Sequence, residues 1–161
     1  YVTPHDREIG QLSVNWTLEQ TNQRAKDFMR ELAFDLRFEL AGRRVRLVHG
    51  SPRKVNEYLF ADKPVKTFER IAAGAECDVL VFGHTHRPWI HEYGGVLFVN
   101  CGSVGKPKDG DPRAGFAVLS ERGDGVAVEI QRVTYPAEQV ADEMQRVGLS
   151  EELAVKLVQA G

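Results

Sequence analysis

Three histidines stand where an imidazole could do chemistry. His84 and His86 lie one residue apart in Gly83-His84-Thr85-His86, and His49 is followed directly by Gly50. A neutral imidazole nitrogen is a good ligand for zinc, iron, manganese or nickel. Two histidines on a turn opened by a glycine can aim both rings into one cavity. Taken alone, an H-x-H also suits solvated loop histidines or a structural zinc pair, because short motifs recur by chance. His49 shifts that balance. It closes the stretch Val45-Arg46-Leu47-Val48, so three of only five histidines sit at expected strand ends beside a glycine. Together they predict a metal site. His5 reads as a solvated loop residue and His91 as an ordinary strand position.

The elements that must carry these histidines follow from periodicity. Leu36, Phe38 and Leu40 alternate with charged residues, Ala41-Gly42 supplies a turn, and Val45 and Leu47 alternate again up to His49. That pattern is a β-hairpin whose second strand delivers His49 at its carboxyl end. Lys66 to Ala75 reads as a helix with Phe68, Ile71, Ala72 and Ala75 on one face. Val79–Phe82 is a continuous apolar run, suited to a strand buried on both faces, and it runs into Gly83. In open α/β sheets, ligands bind beyond the carboxyl ends of such strands. Trp89–Tyr93 and Val96–Asn100 form a second hairpin around Gly94-Gly95. Phe116–Ser120 and Val126–Val133 form a third around Arg122-Gly123-Asp124-Gly125.

Helices are expected at both ends of the chain. One runs from about Ile9 to Gln20. The next is capped by Thr21 and carries Ala25, Phe28, Met29 and Leu32 on one side. After Pro136 come two short helices, the first lined by Val140, Met144 and Val147. Ser150 caps the second, where Leu153, Leu157 and Val158 pack. The fold class is α/β, with strands in the majority and helices outside them. No repeat or Gly/Ser linker divides the 161 residues, so one domain is expected over 1–161.

Composition excludes several classes of function. The chain is 42% hydrophobic and 27% charged with a net charge of −2, so no global basic field draws it to nucleic acid or an anionic membrane. The longest apolar runs fall far short of the roughly 20 residues that span a bilayer. Cys77 and Cys101 are too few for a disulfide framework, and Cys77 reads as a small buried thiol. A reduced, cytoplasmic setting fits best. The chain opens on Tyr1, which leaves a removed signal peptide open.

Three segments in order carry a resemblance: Val48-His49-Gly50-Ser51-Pro52, Gly83-His84-Thr85-His86 and Asn100-Cys101-Gly102-Ser103-Val104-Gly105. The chain resembles the C-terminal part of a calcineurin-like metallophosphoesterase, and within that superfamily the small bacterial and archaeal phosphodiesterase-like branch. The match runs from about Gly10 to Val133. The resemblance implies a β-sandwich flanked by helices, in four layers, incomplete at its N-terminus. It implies hydrolysis of a phosphodiester or phosphomonoester by a hydroxide activated at a binuclear centre. The cofactors would be two divalent metal ions, from among manganese, iron, zinc, nickel and magnesium, and the partner a small phosphorylated substrate. By the same resemblance His49 and His84 bind one metal and His86 the other, while Gly83 and Thr85 shape the loop.

The resemblance also exposes departures. Cys101 stands where the family usually has proline, which places a candidate redox-sensitive thiol near the site. The family's Asp-x-His, Gly-Asp and Gly-Asn-His-Asp motifs are absent, and Thr3-Pro4-His5-Asp6 lacks the Gly-Asn of the last. The remaining ligands and the catalytic groups are therefore expected upstream of Tyr1, and these 161 residues alone are expected to bind metal weakly and catalyse poorly. Asn100, Ser103 and Arg53 are candidate substrate-binding residues. Lys54, Lys106, Lys108 and Arg113 could hold phosphate, although each taken singly reads better as surface charge. The turn-rich stretch 106–113 is the candidate mobile rim. Tyr58, Trp89 and Phe98 could line a pocket, with core packing the plainer reading. The alternative function is a non-catalytic interaction or scaffold protein on the same fold with a partial metal site. A structural zinc protein is disfavoured by the scarcity of cysteine. Self-association is left open.

Overall fold

The computed structural model describes residues 3–161. Sequence patterning suggests one folding unit; the backbone contacts group the chain into two. One comprises the segments up to Ala33 and Pro136–Gln159, and the other comprises Phe34–Tyr135 with Ala160–Gly161.

The first unit is helical. Helix α1 spans Pro4–Gln20, longer at its start than the apolar pattern suggests. The reason is a capping box. The Thr3 hydroxyl accepts from the Asp6 amide at 3.0 Å, and the Asp6 carboxylate accepts from the Thr3 amide at 3.1 Å. Pro4 occupies the first turn, where its missing N–H costs nothing. His5 therefore stands on a helix rather than in a loop, and its Nε2 lies 2.9 Å from Glu152 Oε2. Helix α2 spans Gln23–Glu31, and its cap is Asn22, not Thr21. The Asn22 side chain accepts from the Ala25 amide at 2.9 Å, while Thr21 closes α1 through its own N–H to the Thr17 carbonyl. The one-sided apolar stripe of α2 stays exposed at Phe28, Met29 and Leu32. Helices α4 (Ala137–Arg146) and α5 (Glu151–Gln159) bury Ala141, Ala154 and Leu157, whereas Val140 is exposed.

The second unit carries the sheet. Its strands are β1 (Leu36–Leu40), β2 (Arg43–Leu47), β3 (Val79–Phe82), β4 (Trp89–Tyr93), β5 (Val96–Asn100), β6 (Ala114–Arg122) and β7 (Gly125–Val133), with helix α3 at Val65–Ala73. Five of them form one sheet in the order β1-β2-β3-β5-β4. The inner three are parallel, and each edge strand is a hairpin partner running antiparallel. The β4–β5 turn needs positive φ at two consecutive residues, and Gly94 and Gly95 supply 57° and 76°.

Alternation along β3 assigns the two faces of the sheet. Leu80 and Phe82 pack with Phe68, Ile71 and Ala72 of α3 and with Phe98. Val79 and Val81 pack with Val45 and Val99, and against these lie Ala117, Leu119, Val126 and Val128 of the β6–β7 hairpin. All four β3 residues are buried, as their continuous apolar run predicts. The unit is thus layered helix, sheet, hairpin, a mixed α/β arrangement.

The amino ends of the parallel strands are tied by charge. Asp78 accepts from the Arg44 amide at 2.8 Å and pairs with its guanidinium at 2.9 Å. The buried Arg46 is satisfied by Asp35 and by the Ala75 carbonyl. Among the described residues no helix is long and apolar enough to cross a membrane.

Candidate metal centre

Strands β2, β3 and β5 end side by side, with Leu47 opposite Val81 and Phe82 opposite Asn100. Their ladder continues past the strands. Val48 donates to the Val81 carbonyl at 3.0 Å, Gly83 to His49 at 2.9 Å, and Cys101 to Phe82 at 2.9 Å. His49 and the Gly83-His84-Thr85-His86 turn are therefore hydrogen-bonded neighbours at the carboxyl edge of the parallel strands. Gly50 permits the turn after His49. A Cβ there would stand 2.5 Å from the Val55 carbonyl oxygen and 2.8 Å from the Glu57 nitrogen.

The histidine turn has an unusual backbone. His84 and His86 both adopt left-handed φ, at 66° and 60°. Such conformations cost a non-glycine residue about 1–3 kcal/mol and persist only where the surroundings impose them. Here Asn100 braces the turn that carries them. It is fully buried, and its amide donates to Thr85 Oγ1 at 2.8 Å and to the Gly83 carbonyl at 3.1 Å. Its Oδ1 accepts from the Gly102 amide at 3.0 Å. Thr85, buried between the two strained histidines, is thereby pinned.

His49 and His84 meet. His49 Nε2 lies 3.0 Å from His84 Nδ1, and the rings cross at 69° with centroids 4.9 Å apart. Two nitrogens each about 2.1 Å from a common ion, at roughly a right angle, would stand at this separation. His84 Nε2 is buried without a hydrogen bond of normal geometry. His86 turns its Nδ1 to the Lys106 carbonyl at 2.6 Å, so Nε2 is the nitrogen that could bind a metal. Burial and then the neighbouring His49 hold the His84 imidazole below the ordinary histidine value. Burial does the same for His86, against the opposing bond to Lys106. Both are therefore neutral at pH 7, the form that binds metal. All three histidines line one open cleft of ≈ 360 Å³, with Leu47, Val81 and Phe116 among its apolar walls. Among the described residues no three His, Cys, Asp or Glu side chains come together closely enough to hold one metal ion. The donor set fits a divalent ion in chemistry but is short of carboxylate oxygen.

The other candidates separate on structure. Asn100 is buried and braces the histidine turn through its side-chain amide. The Arg53 guanidinium is paired with Glu57, which also accepts from Ser51 Oγ at 2.5 Å. Ser103 lines the cleft, and its Oγ accepts from the Lys106 amide at 2.9 Å. Arg113 is paired with Asp111. Cys101 lines the cleft, but burial raises its thiol pKa and so lowers its reactivity. Trp89 and Phe98 pack in the core beside α3. Tyr58 is the residue that sequence reasoning undervalued. Its ring lies 4.2 Å from that of His84 while the residue stays 47% exposed. The alternation around buried Leu59 was the available signal.

Residues 6–124 match the family model described as the calcineurin-like phosphoesterase superfamily domain. The chain belongs to that superfamily. The family is by its description one of phosphoesterases. An uncharacterized protein of Methanocaldococcus jannaschii is 26% identical over 93% of this chain and 65% of its own. A probable metallophosphoesterase of Methanothermobacter thermautotrophicus is 34% identical over 62% of this chain and 52% of its own. The chain thus spans about half to two thirds of the length of these relatives. The fold is that of the metallophosphoesterase from Sphaerobacter thermophilus, with a TM-score of 0.79 at 24% identity, covering 91% of this chain and 67% of that one. A hypothetical protein from Pyrococcus horikoshii shares it with a TM-score of 0.81 at 22% identity, covering 91% and 58%.

Proposed function

We propose that this chain contributes His49, His84 and His86 to a two-metal centre that hydrolyses a phosphodiester or phosphomonoester. The observation that carries the reading is the meeting of His49 and His84 at the carboxyl edge, with both nitrogens at ligand spacing. Those two would hold one ion through His49 Nε2 and His84 Nδ1, and His86 the other through Nε2. When bound, the pair of ions supplies charge for the phosphoryl oxygens and acidifies a water. The chain's own part is to keep the imidazoles of His84 and His86 neutral and to aim all three rings. Asn100 and Thr85 fix the turn, and the Lys106 carbonyl fixes the tautomer of His86. The ligand set is completed by carboxylates supplied outside these residues.

The test is metal analysis of His86→Ala with a phosphodiester assay on the full natural chain. Loss of one ion together with turnover is expected; full occupancy with normal turnover refutes the assignment. The 161 residues alone should be nearly inert, and activity equal to that of the full chain would count against shared ligands.

A further inference from the structure

Tyr58, Leu59 and Phe60 lie in the connection between β2 and α3. Leu59 points inward, is fully buried, and its carbonyl accepts from Trp89 Nε1 at 3.1 Å. Tyr58 is exposed and Phe60 is partly buried. Their rings are stacked, with centroids 5.7 Å apart and planes 18° from parallel. One end of this pair abuts the metal-site candidate, because the Tyr58 ring is 4.2 Å from His84. The other end meets Arg87, whose guanidinium carbon lies 5.9 Å from the Phe60 centroid. Arg87 Nε donates to the Lys108 carbonyl at 2.7 Å, and the Lys108 amide donates to His86 at 3.1 Å. The contacts close a ring from His84 through Tyr58, Phe60, Arg87 and Lys108 back to His86.

Burial does not account for this placement. An exposed tyrosine beside a candidate ligand, backed by a second ring and a guanidinium, is a flat apolar step with positive charge at its far end. Lys108 is half-buried and makes no ion pair among the described residues. Its charge lies near enough to His84 and His86 to act on both, which suits an anionic ligand.

We infer that Tyr58 and Phe60 form a stacking platform for a flat aromatic ring attached to the phosphate, such as a nucleobase or an aryl group. The inference rests on the phosphoester reading above and adds the class of ester. Stacking of a base on one aromatic side chain sets a preference of about tenfold.

The test uses three esters with the same leaving group on the full natural chain with divalent metal. Thymidine 5′-p-nitrophenyl phosphate and phenyl p-nitrophenyl phosphate carry a ring; methyl p-nitrophenyl phosphate does not. In the wild type, kcat/KM should favour the ring esters over the methyl ester by about tenfold. Preference for thymidine alone identifies a nucleobase site, and preference for both identifies any ring. Tyr58→Ala should collapse the ratio, mainly through KM, and Tyr58→Phe should keep it. Taking the ratio removes any general loss caused by disturbing His84. A ratio near one in the wild type, or unchanged in Tyr58→Ala, overturns the inference. Calorimetric binding of thymidine 5′-monophosphate against methyl phosphate reads the same contact without turnover. If no ester is hydrolysed but the nucleotide binds more tightly, and Tyr58→Ala abolishes that margin, the hydrolase reading fails and the platform stands. Equal binding of the two overturns the platform.

Discussion

His49 Nε2 and His84 Nδ1 stand 3.0 Å apart, although the residues are 35 positions apart in sequence. The pairing follows from the parallel alignment of β2 and β3, whose ladder runs on to the Gly83 amide and the His49 carbonyl. Two ligands of one ion should behave as a unit rather than additively. His49→Ala and His84→Ala should each remove the same ion, and the double variant should lose no more than either. Plasma emission metal counts on the full natural chain check this; stepwise loss of two ions across the pair would separate them.

Asn100 is the brace of the histidine turn. Replacing it by alanine leaves Thr85, the Gly83 carbonyl and the Gly102 amide without their buried partner. The expected loss is about 2–3 kcal/mol in urea unfolding. Metal affinity should fall too, because two of the bonds that hold the turn carrying His84 and His86 are then lost. Retained affinity in a destabilised Asn100→Ala protein would show that the turn holds its shape unaided.

Two glycines give opposite predictions. A Cβ at Gly50 would stand 2.5 Å from a backbone oxygen, so Gly50→Ala must move the loop after His49 and should cost about 2 kcal/mol or more. Gly105, in the third motif, has open space around its Cβ position and no positive φ. Gly105→Ala should be tolerated within about 0.5 kcal/mol. Denaturant midpoints compare the two directly.

The Arg44–Asp78 pair predicts an acid dependence. Side-chain bonding to Arg44, then the bond from its amide, pull the Asp78 carboxyl down from 3.8 to about 2. An unfolded aspartate titrates near about 3.9. With the folded value the lower, the stabilisation is complete above about pH 4 and is lost as pH falls toward about 2. Asp78→Asn should be less stable at neutral pH, and its gap to the wild type should close through that window. A gap that stays constant with pH would remove Asp78 as its source.

Local periodicity was sufficient for much of the second unit. The β1–β2, β4–β5 and β6–β7 hairpins, the buried run of β3 and the inner face of α3 stand where alternation and turn residues put them, because burial on one face writes itself into neighbouring residues. Helix ends were less legible. The capping box at Thr3 and the choice of Asn22 over Thr21 turn on single hydrogen bonds that hydrophobic pattern does not record. The apolar stripe of α2 shows the same limit, since periodicity indicates a face but not what covers it.

The sequence by itself determined that three imidazoles stand at strand ends beside glycines, because strand, turn and glycine signals are properties of adjacent residues. Only the tertiary structure decided which nitrogen of His49 meets which of His84, that Asn100 lies under the turn, and that Tyr58 faces His84. Each of those depends on the register between strands distant in the chain. A shift of one residue would turn the same side chains to the opposite face of the sheet.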